Sequence, residues 1–240
     1  MDIRASKEVE ARVLMELQAE ALYTYDRRGR MLRVNEPNGG VAPRMFLGRT
    51  IQGTTVCRFR HDVPDDLVRQ LEALCAEEGG SGDPLSNPRH YEAYMALLDG
   101  QVSTMGPAYR IPVLIAAAAS AEAAPVVITR QNAKLLAGGF DWLAAEVDHA
   151  QPCLAILSGG RAVSVCRSVR ITARVHEAGL ETLPSYRGRG YAAAVVTGWA
   201  AAVRQAGRIP LYSTSWENLS SRRVAQKLAL DYYGTDFAIV

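Results

Sequence analysis

The stretch Leu183-Pro184-Ser185-Tyr186-Arg187-Gly188-Arg189-Gly190-Tyr191-Ala192 lies between a strand-like run that stops at a proline and a helix-like run that starts at Tyr191. Glycine lets the backbone bend sharply and lets a ligand approach the amides with no side chain in between. The first N–H groups of a helix have no internal partner, and the helix dipole adds roughly half a positive charge there. A pyrophosphate fits such a place, and Arg187 and Arg189 add positive charge beside it. Two other readings compete. A bare G-x-G can be no more than a turn that needs two glycines. Gly188-x-Gly190-x-x-Ala193 also matches a dinucleotide fingerprint in form, but that unit wants an acidic residue at the end of the next strand, about 20 residues on. Here the strand reads Ile209-Pro-Leu-Tyr-Ser-Thr-Ser-Trp216, with hydroxyls where the carboxylate should be, and the 50 residues after Gly190 are too few for the rest of that sheet.

Outward from the glycines, the pattern predicts a helix over Tyr191–Gln205, with Ala192, Val195, Val196, Trp199 and Val203 on one stripe and Gly207 as its cap. A strand follows at Ile209–Ser213, a helix at Leu219–Ala229 and a strand at Tyr232–Val240. Towards the N-terminus, Val175–Leu183 reads as a strand, and Cys153–Leu157 and Ala162–Ile171 as a hairpin around Ser158-Gly159-Gly160. Before these come a helix over Leu135–Val147, with Leu136, Phe140, Leu143 and Val147 on one side, and a short strand at Val126–Thr129. The order from Val126 is β-α-β-β-β-α-β-α-β, an α/β fold with a mixed sheet covered by helices.

The N-terminal part has a different texture. A helix is expected over Ser6–Leu22, then two short strands about Asp26–Gly29, another pair about Gln52-Gly53, a helix opened by Pro64 and a shorter one over Tyr91–Leu98. Residues 78–88 (EGGSGDPLSNP) read as a loop, Pro107–Val113 as a strand, and the alanine-rich tract Ala116–Ala124 as a short helix or tight connection. The expected organisation is a smaller α+β domain at 1–110 and a second domain at 126–240.

The segment 183–192 resembles the acetyl-CoA loop of the GNAT superfamily of N-acetyltransferases, written Q/R-x-x-G-x-G/A and entered through a proline. The helix after it, the strand Ile209–Ser213 and the opening Asn218-x-x-Ser221 of the last helix are similar to that family too, and the resemblance runs from about Val126 to Val240. It implies a mixed-sheet GNAT fold and transfer of an acetyl group from acetyl-CoA to an amine in a ternary complex, with acetyl-CoA as cosubstrate and no metal. Backbone N–H groups of Arg187, Gly188, Arg189, Gly190, Tyr191 and Ala192 would hold the pyrophosphate. The backbone of Thr182 and Leu183 would pair with the pantetheine arm as an added strand does, and Asn218 and Ser221 would reach the pantetheine or its phosphate end. Asn218 is equally a helix N-cap by type. Glu177, on the strand entering the loop, is the expected catalytic base, and Glu181, roughly 13 Å further along, is the second candidate. His176 would point away from Glu177 as a surface histidine.

Two positions depart from the family. Ser185 stands where Gln or Arg is usual, and the usual acidic tyrosine of the last helix falls on Ala225. The leaving thiolate would then take its proton from water, Tyr212, Ser215, Tyr232 or Tyr233. That departure keeps open a second class, an acyl-CoA-binding sensor or scaffold without turnover. The strand pairs and helix of the N-terminal part also suit a degenerate GNAT-like half.

The chain has 27 basic and 25 acidic side chains, a net charge of +2. Without a basic run or face, a nucleic-acid partner is not expected. The most apolar stretch, Ile111–Ile128, is interrupted by Pro112, Glu122 and Pro125, and the first 15 residues lack an apolar signal core, so a cytoplasmic protein without a membrane partner is expected, as monomer or homodimer. Cys57, Cys75, Cys153 and Cys166 form no C-x-x-C pair, which argues against zinc and for buried free thiols. His61, His90 and His149 have no partner at a recognisable spacing. The acceptor would be a small-molecule or peptide amine.

Overall fold

A computed structural model describes residues 3–79, 83–113 and 124–240, so the alanine-rich tract lies outside the described residues up to position 123. The chain forms two compact units that are not contiguous in sequence. One comprises Met1–Arg110, Ser213–Leu219 and Asp231–Val240; the other comprises Ile111–Tyr212 and Ser220–Leu230. The last strand, which the sequence pattern assigned to a domain at 126–240, is therefore part of the first unit.

In the first unit the long helix α1 (Ile3–Leu22) is followed by a two-stranded sheet of β1 (Tyr23–Tyr25) and β2 (Met31–Val34). Then come β3 (Met45–Thr50), β4 (Thr55–Phe59), α2 (Asp65–Ala76), α3 (Tyr91–Leu97) and β5 (Ser103–Arg110). Ala11, Leu14, Met15 and Gln18 recur at helical spacing on α1 and all are buried. The expected strand at Pro107–Val113 begins and ends earlier, and Pro64 sits at the N-cap of α2 rather than inside it. The C-terminal strand β11 (Asp231–Ile239) pairs antiparallel with both β3 and β5, so it is central in the order β4-β3-β11-β5.

Phe237 and Ile239 of β11 join Met45, Leu47, Phe59, Leu71 and Tyr94 in one apolar cluster. At Gly234 the backbone of β3 and the end of the Met15 side chain come so close that an added Cβ would sit 2.4 Å from the Arg49 carbonyl oxygen and 2.7 Å from Met15 Cε. Gln18 satisfies its buried amide by donating to Asp236 Oδ2 (2.6 Å) and accepting from the Tyr233 hydroxyl (2.9 Å), which ties α1 to β11.

The second unit holds β6 (Val126–Val127), β7 (Cys153–Ser158), β8 (Arg161–Ile171), β9 (Val175–Thr182) and β10 (Ile209–Ser213), with helices α5 (Tyr191–Gln205) and α6 (Leu219–Lys227). Strands β6 to β9 pair antiparallel in sequence order, and β10 runs parallel to β9. The stripe on α5 is as the spacing predicted: Val195, Val196, Trp199 and Val203 are fully buried. The helix expected over Leu135–Val147 is instead a 3-10 turn over Arg130–Leu136 and a four-residue helix α4 (Asp141–Ala144). Gly138 breaks it, because its φ of 79° is left-handed, and Asp141 caps the Gly138 N–H at 3.0 Å. The apolar periodicity still marked the buried side correctly, since Leu136, Phe140, Leu143 and Val147 all enter one core cluster with Cys153, Ala155 and Val165.

His176 is not the surface histidine expected; it is buried. Its Nδ1 lies 2.9 Å from Ser168 Oγ, and Trp199 Nε1 lies 3.2 Å from the same oxygen. An indole N–H can only donate. Ser168 therefore accepts from Trp199, and the same hydroxyl shares a hydrogen bond with His176 Nδ1, so Ser168 links α5 to the imidazole. Burial, then the charge of Arg208, lowers the pKa of His176. A folded-state pKa below the unfolded value means that neutral His176 stabilises the fold above the unfolded pKa of about 6.5, and that this contribution is lost as pH falls towards the folded pKa. Melting temperature should thus fall more steeply between pH 7.5 and 5.5 for the wild type than for His176→Gln. Equal slopes in the two proteins would refute the assignment.

The cysteines are free: Cys75, Cys153 and Cys166 are buried and Cys57 is half-buried, with burial pushing the Cys153 thiol up to about 11. Among the described residues no helix is long and apolar enough to cross a membrane, and no group of three or more His, Cys, Asp or Glu is placed to hold a metal ion.

Candidate active site

Strands β9 and β10 are in register at Ile209↔Val175, Pro210↔His176 and Leu211↔Glu177, and the paired register ends there. Strand β9 continues to Thr182, held on its other side by β8 through Ser168↔Ala178 to Ser164↔Thr182. The segment Ala178–Thr182 therefore has an edge that β10 does not cover, about 13 Å long at ordinary strand rise. Leu183 sends its N–H to the Val163 carbonyl at 3.0 Å. Peptide groups alternate sides along an extended strand, so those of Thr182 and Leu180 face the uncovered edge. The Leu183 carbonyl in turn accepts from Tyr186 N–H (2.9 Å), so both peptide groups of Leu183 have partners within the chain.

Beyond Leu183 a single 3-10 turn, Pro184–Tyr186, leads to the glycines. Gly188 and Gly190 both adopt left-handed φ, 77° and 83°, and Gly190 is the N-cap of α5 with no side-chain cap. The leading N–H groups of a 15-residue helix are thus presented at the end of the uncovered edge. Arg187 and Arg189 are exposed and fold onto the loop. Arg187 Nε donates to the Thr182 carbonyl (3.3 Å), and Arg189 donates to the Ser185 carbonyl (3.2 Å) with its guanidinium 5.1 Å over the Tyr186 ring. Hydrogen bonds with Arg161 and Ser158 hold the Tyr186 hydroxyl below the usual tyrosine pKa, anchoring the loop to the β7–β8 hairpin.

Glu177 occupies the last paired position before the strands part. It is 1% exposed, so it is no solvated strand carboxylate, and Arg170 Nη1 lies 3.3 Å from its Oε2. The bulge between Ser168 and Arg170 in β8 is what turns Arg170 towards Glu177. Glu181 is exposed. On β10, Tyr212 is the first residue past the parting; it is buried, with its hydroxyl 2.6 Å from Ser221 Oγ on α6. Asn218 is exposed and immediately precedes α6, and its N–H donates to the Ser215 carbonyl. Ala225 is buried, so no acidic side chain stands at that position of α6. Tyr232 and Tyr233 bond Thr235 and Gln18 within the other unit. The charge of Arg170 beside Glu177 escaped the sequence pattern, because only the bulge reveals which β8 residue faces it.

Two parallel strands that part beside a glycine-turned helix N-terminus form an α/β unit with an open strand edge leading to a set of free helix N–H groups. Residues 153–235 match the family model described as GNAT acetyltransferase, which identifies a GNAT-superfamily segment within the C-terminal half of the chain. Among solved structures, the chain is similar to a GCN5-related N-acetyltransferase-like protein from Streptococcus suis 89/1591, at 17% identity over 83% of this chain and 85% of that one, with a TM-score of 0.49. A GCN5-related N-acetyltransferase from Kribbella flavida gives 17% identity over 95% and 94%, with a TM-score of 0.43. YncA from Salmonella typhimurium, solved with its cofactor acetyl-CoA, gives 13% identity over 48% and 93%, with a TM-score of 0.38. No curated protein sequence matches the chain.

Proposed function

We propose that the protein transfers the acetyl group of acetyl-CoA to an amine by direct attack in a ternary complex. The supporting observation is the parting of β9 from β10 after Glu177, opening an edge that leads to the N-terminus of α5. In this reading the pantetheine arm lies along the edge of β9 as an added strand, meeting Thr182. The N–H groups of residues 187–192 hold the pyrophosphate, and Ser221 meets the arm from α6. The amine nitrogen adds to the thioester carbonyl and its proton passes through water to Glu177. The C–S bond then breaks, and the thiolate takes a proton from the Tyr212 hydroxyl, to which Ser221 is hydrogen-bonded. Thioesters have a good leaving group, so this last proton matters less than the first.

The test is thiol release from acetyl-CoA against a panel of primary amines, run beside a thermal-shift titration with acetyl-CoA. Release with any amine supports transfer. The buried Ala225 in place of a tyrosine favours a second reading, an acyl-CoA sensor without turnover, and a melting shift with no release under any amine would establish it. No shift at millimolar acetyl-CoA would sink both.

The two loop arginines give a further expectation. Arg187→Ala and Arg189→Ala should each weaken CoA binding severalfold at low salt and less at high salt, because exposed charge pairs are screened over a Debye length of about 10 Å at 0.1 M. Equal losses in titrations at both salts would mean that these side chains do not meet the phosphates.

A further inference from the structure

Side chains alternate along β9, so Glu177, Gly179 and Glu181 share the face opposite His176. On that face the β8 residue paired with Gly179 is Arg167. Gly179 has no side chain, and an ideal Cβ there would lie 2.2 Å from Val169 Cγ1 and 3.0 Å from Arg167 Nη1. The arm of Arg167 thus runs beside the strand at the one position where no side chain blocks it. Its guanidinium carbon lies 4.5 Å from the centroid of the Trp142 ring on α4, a tryptophan that is 43% exposed. Stacking fixes the plane of the guanidinium and leaves its N–H edges free.

Among the described residues Arg167 makes no ion pair or hydrogen bond through its side chain. Other carboxylates of this region are spent otherwise or stand apart: Glu177 pairs with Arg170, Asp141 caps Gly138, and Glu181 makes no ion pair among the described residues. A braced, unpaired guanidinium is shaped for a bidentate carboxylate. Gly179 is two residues from Glu177, about 7 Å along the strand. That span suits a carboxylate at Arg167 and an amine one or two carbons away, with a water between the amine and Glu177.

We propose that Arg167, braced on Trp142, binds the carboxylate of an amino-acid acceptor. The assignment of Glu177 as the base beside it rests on the acetyl-transfer reading; the carboxylate site itself does not. The experiment is isothermal titration of the full chain, with CoA present, against each of the twenty L-α-amino acids and their carboxamides. At least one amino acid should bind at least tenfold more tightly than its carboxamide. Arg167→Met, which keeps the arm and loses the charge, should reduce that ratio to about one while leaving the acetyl-CoA melting shift unchanged. Trp142→Leu should weaken amino-acid binding severalfold by releasing the guanidinium. Equal binding of acid and carboxamide, no binding by any of the twenty, or a ratio that survives Arg167→Met would overturn the proposal. Thiol release measured with the same acceptors separates the two ideas: carboxylate-dependent binding without release would refute acetyl transfer and keep the site.

Discussion

Replacing Gly190 with valine should abolish the acetyl-CoA-dependent rise in melting temperature. At a ligand concentration of 100 Kd, binding stabilises the wild type by about 2.7 kcal/mol, which for a chain of this size is roughly 5–10 °C. Gly190 has a φ of 83° and is the N-cap of α5. Valine is β-branched and strongly disfavoured in the left-handed region. The turn would therefore either strain by a few kcal/mol or rotate its N–H groups away from the anion. In both cases the amide cradle is lost, while Val195, Val196 and Trp199 keep the helix buried. Gly188→Ala is the companion variant. Its added Cβ would meet nothing within 4 Å, so only the left-handed strain is introduced and the shift should shrink rather than vanish. A Gly190→Val protein that stays folded by circular dichroism and still shows the full shift would place the phosphates elsewhere.

The second large effect is expected at Glu177. Near neutrality an amine is mostly protonated, and only its neutral form attacks the thioester. Glu177→Gln keeps the shape but cannot accept the proton, so kcat should fall at least tenfold, within the ~10²–10⁴-fold span of general-base effects, with acetyl-CoA affinity nearly unchanged. The loss should narrow as pH rises and solution supplies neutral amine. The same change leaves the Arg170 guanidinium without its carboxylate, so the melting temperature should fall as well. That is why the pH profile, rather than the rate alone, identifies a base. Full kcat in Glu177→Gln together with a loss in Glu181→Gln would move the base four residues along β9. No loss in either would leave proximity as the main source of rate.

Much of the second unit was legible in the sequence because its elements are long and regular. The stripe of α5, the hairpin at Gly159-Gly160 and the two glycines before Tyr191 each read from local chemistry alone. The helix over 135–147 misled because periodicity reports which residues are buried, and a turn broken at Gly138 can bury the same four side chains. The environment of the site was less legible. Glu177 is buried beside Arg170, and His176 is held by Ser168 and Trp199, only because of the β8–β9 register and its bulge, and register is a pairing between segments that neither segment states. The same holds for Arg167 and Gly179. The destination of the last strand was hidden for a related reason: its alternation marks Asp231–Ile239 as a strand but does not name its neighbours.

The central place of β11 has a consequence for biosynthesis. Residues 45–50 pair with residues 234–239, and residues 103–110 pair with the same strand. Both edges stay open until residues 231–239 have left the ribosome, so the N-terminal unit cannot close before β11 is made. At about 5–20 residues per second, the interval between completing β5 and completing β11 is on the order of ten seconds. Throughout it, β3 and β5 present unpaired backbone that other chains could capture. Slow decoding of residues 231–239, or truncation before them, should therefore harm solubility through the N-terminal unit, the part that has been waiting longest to fold.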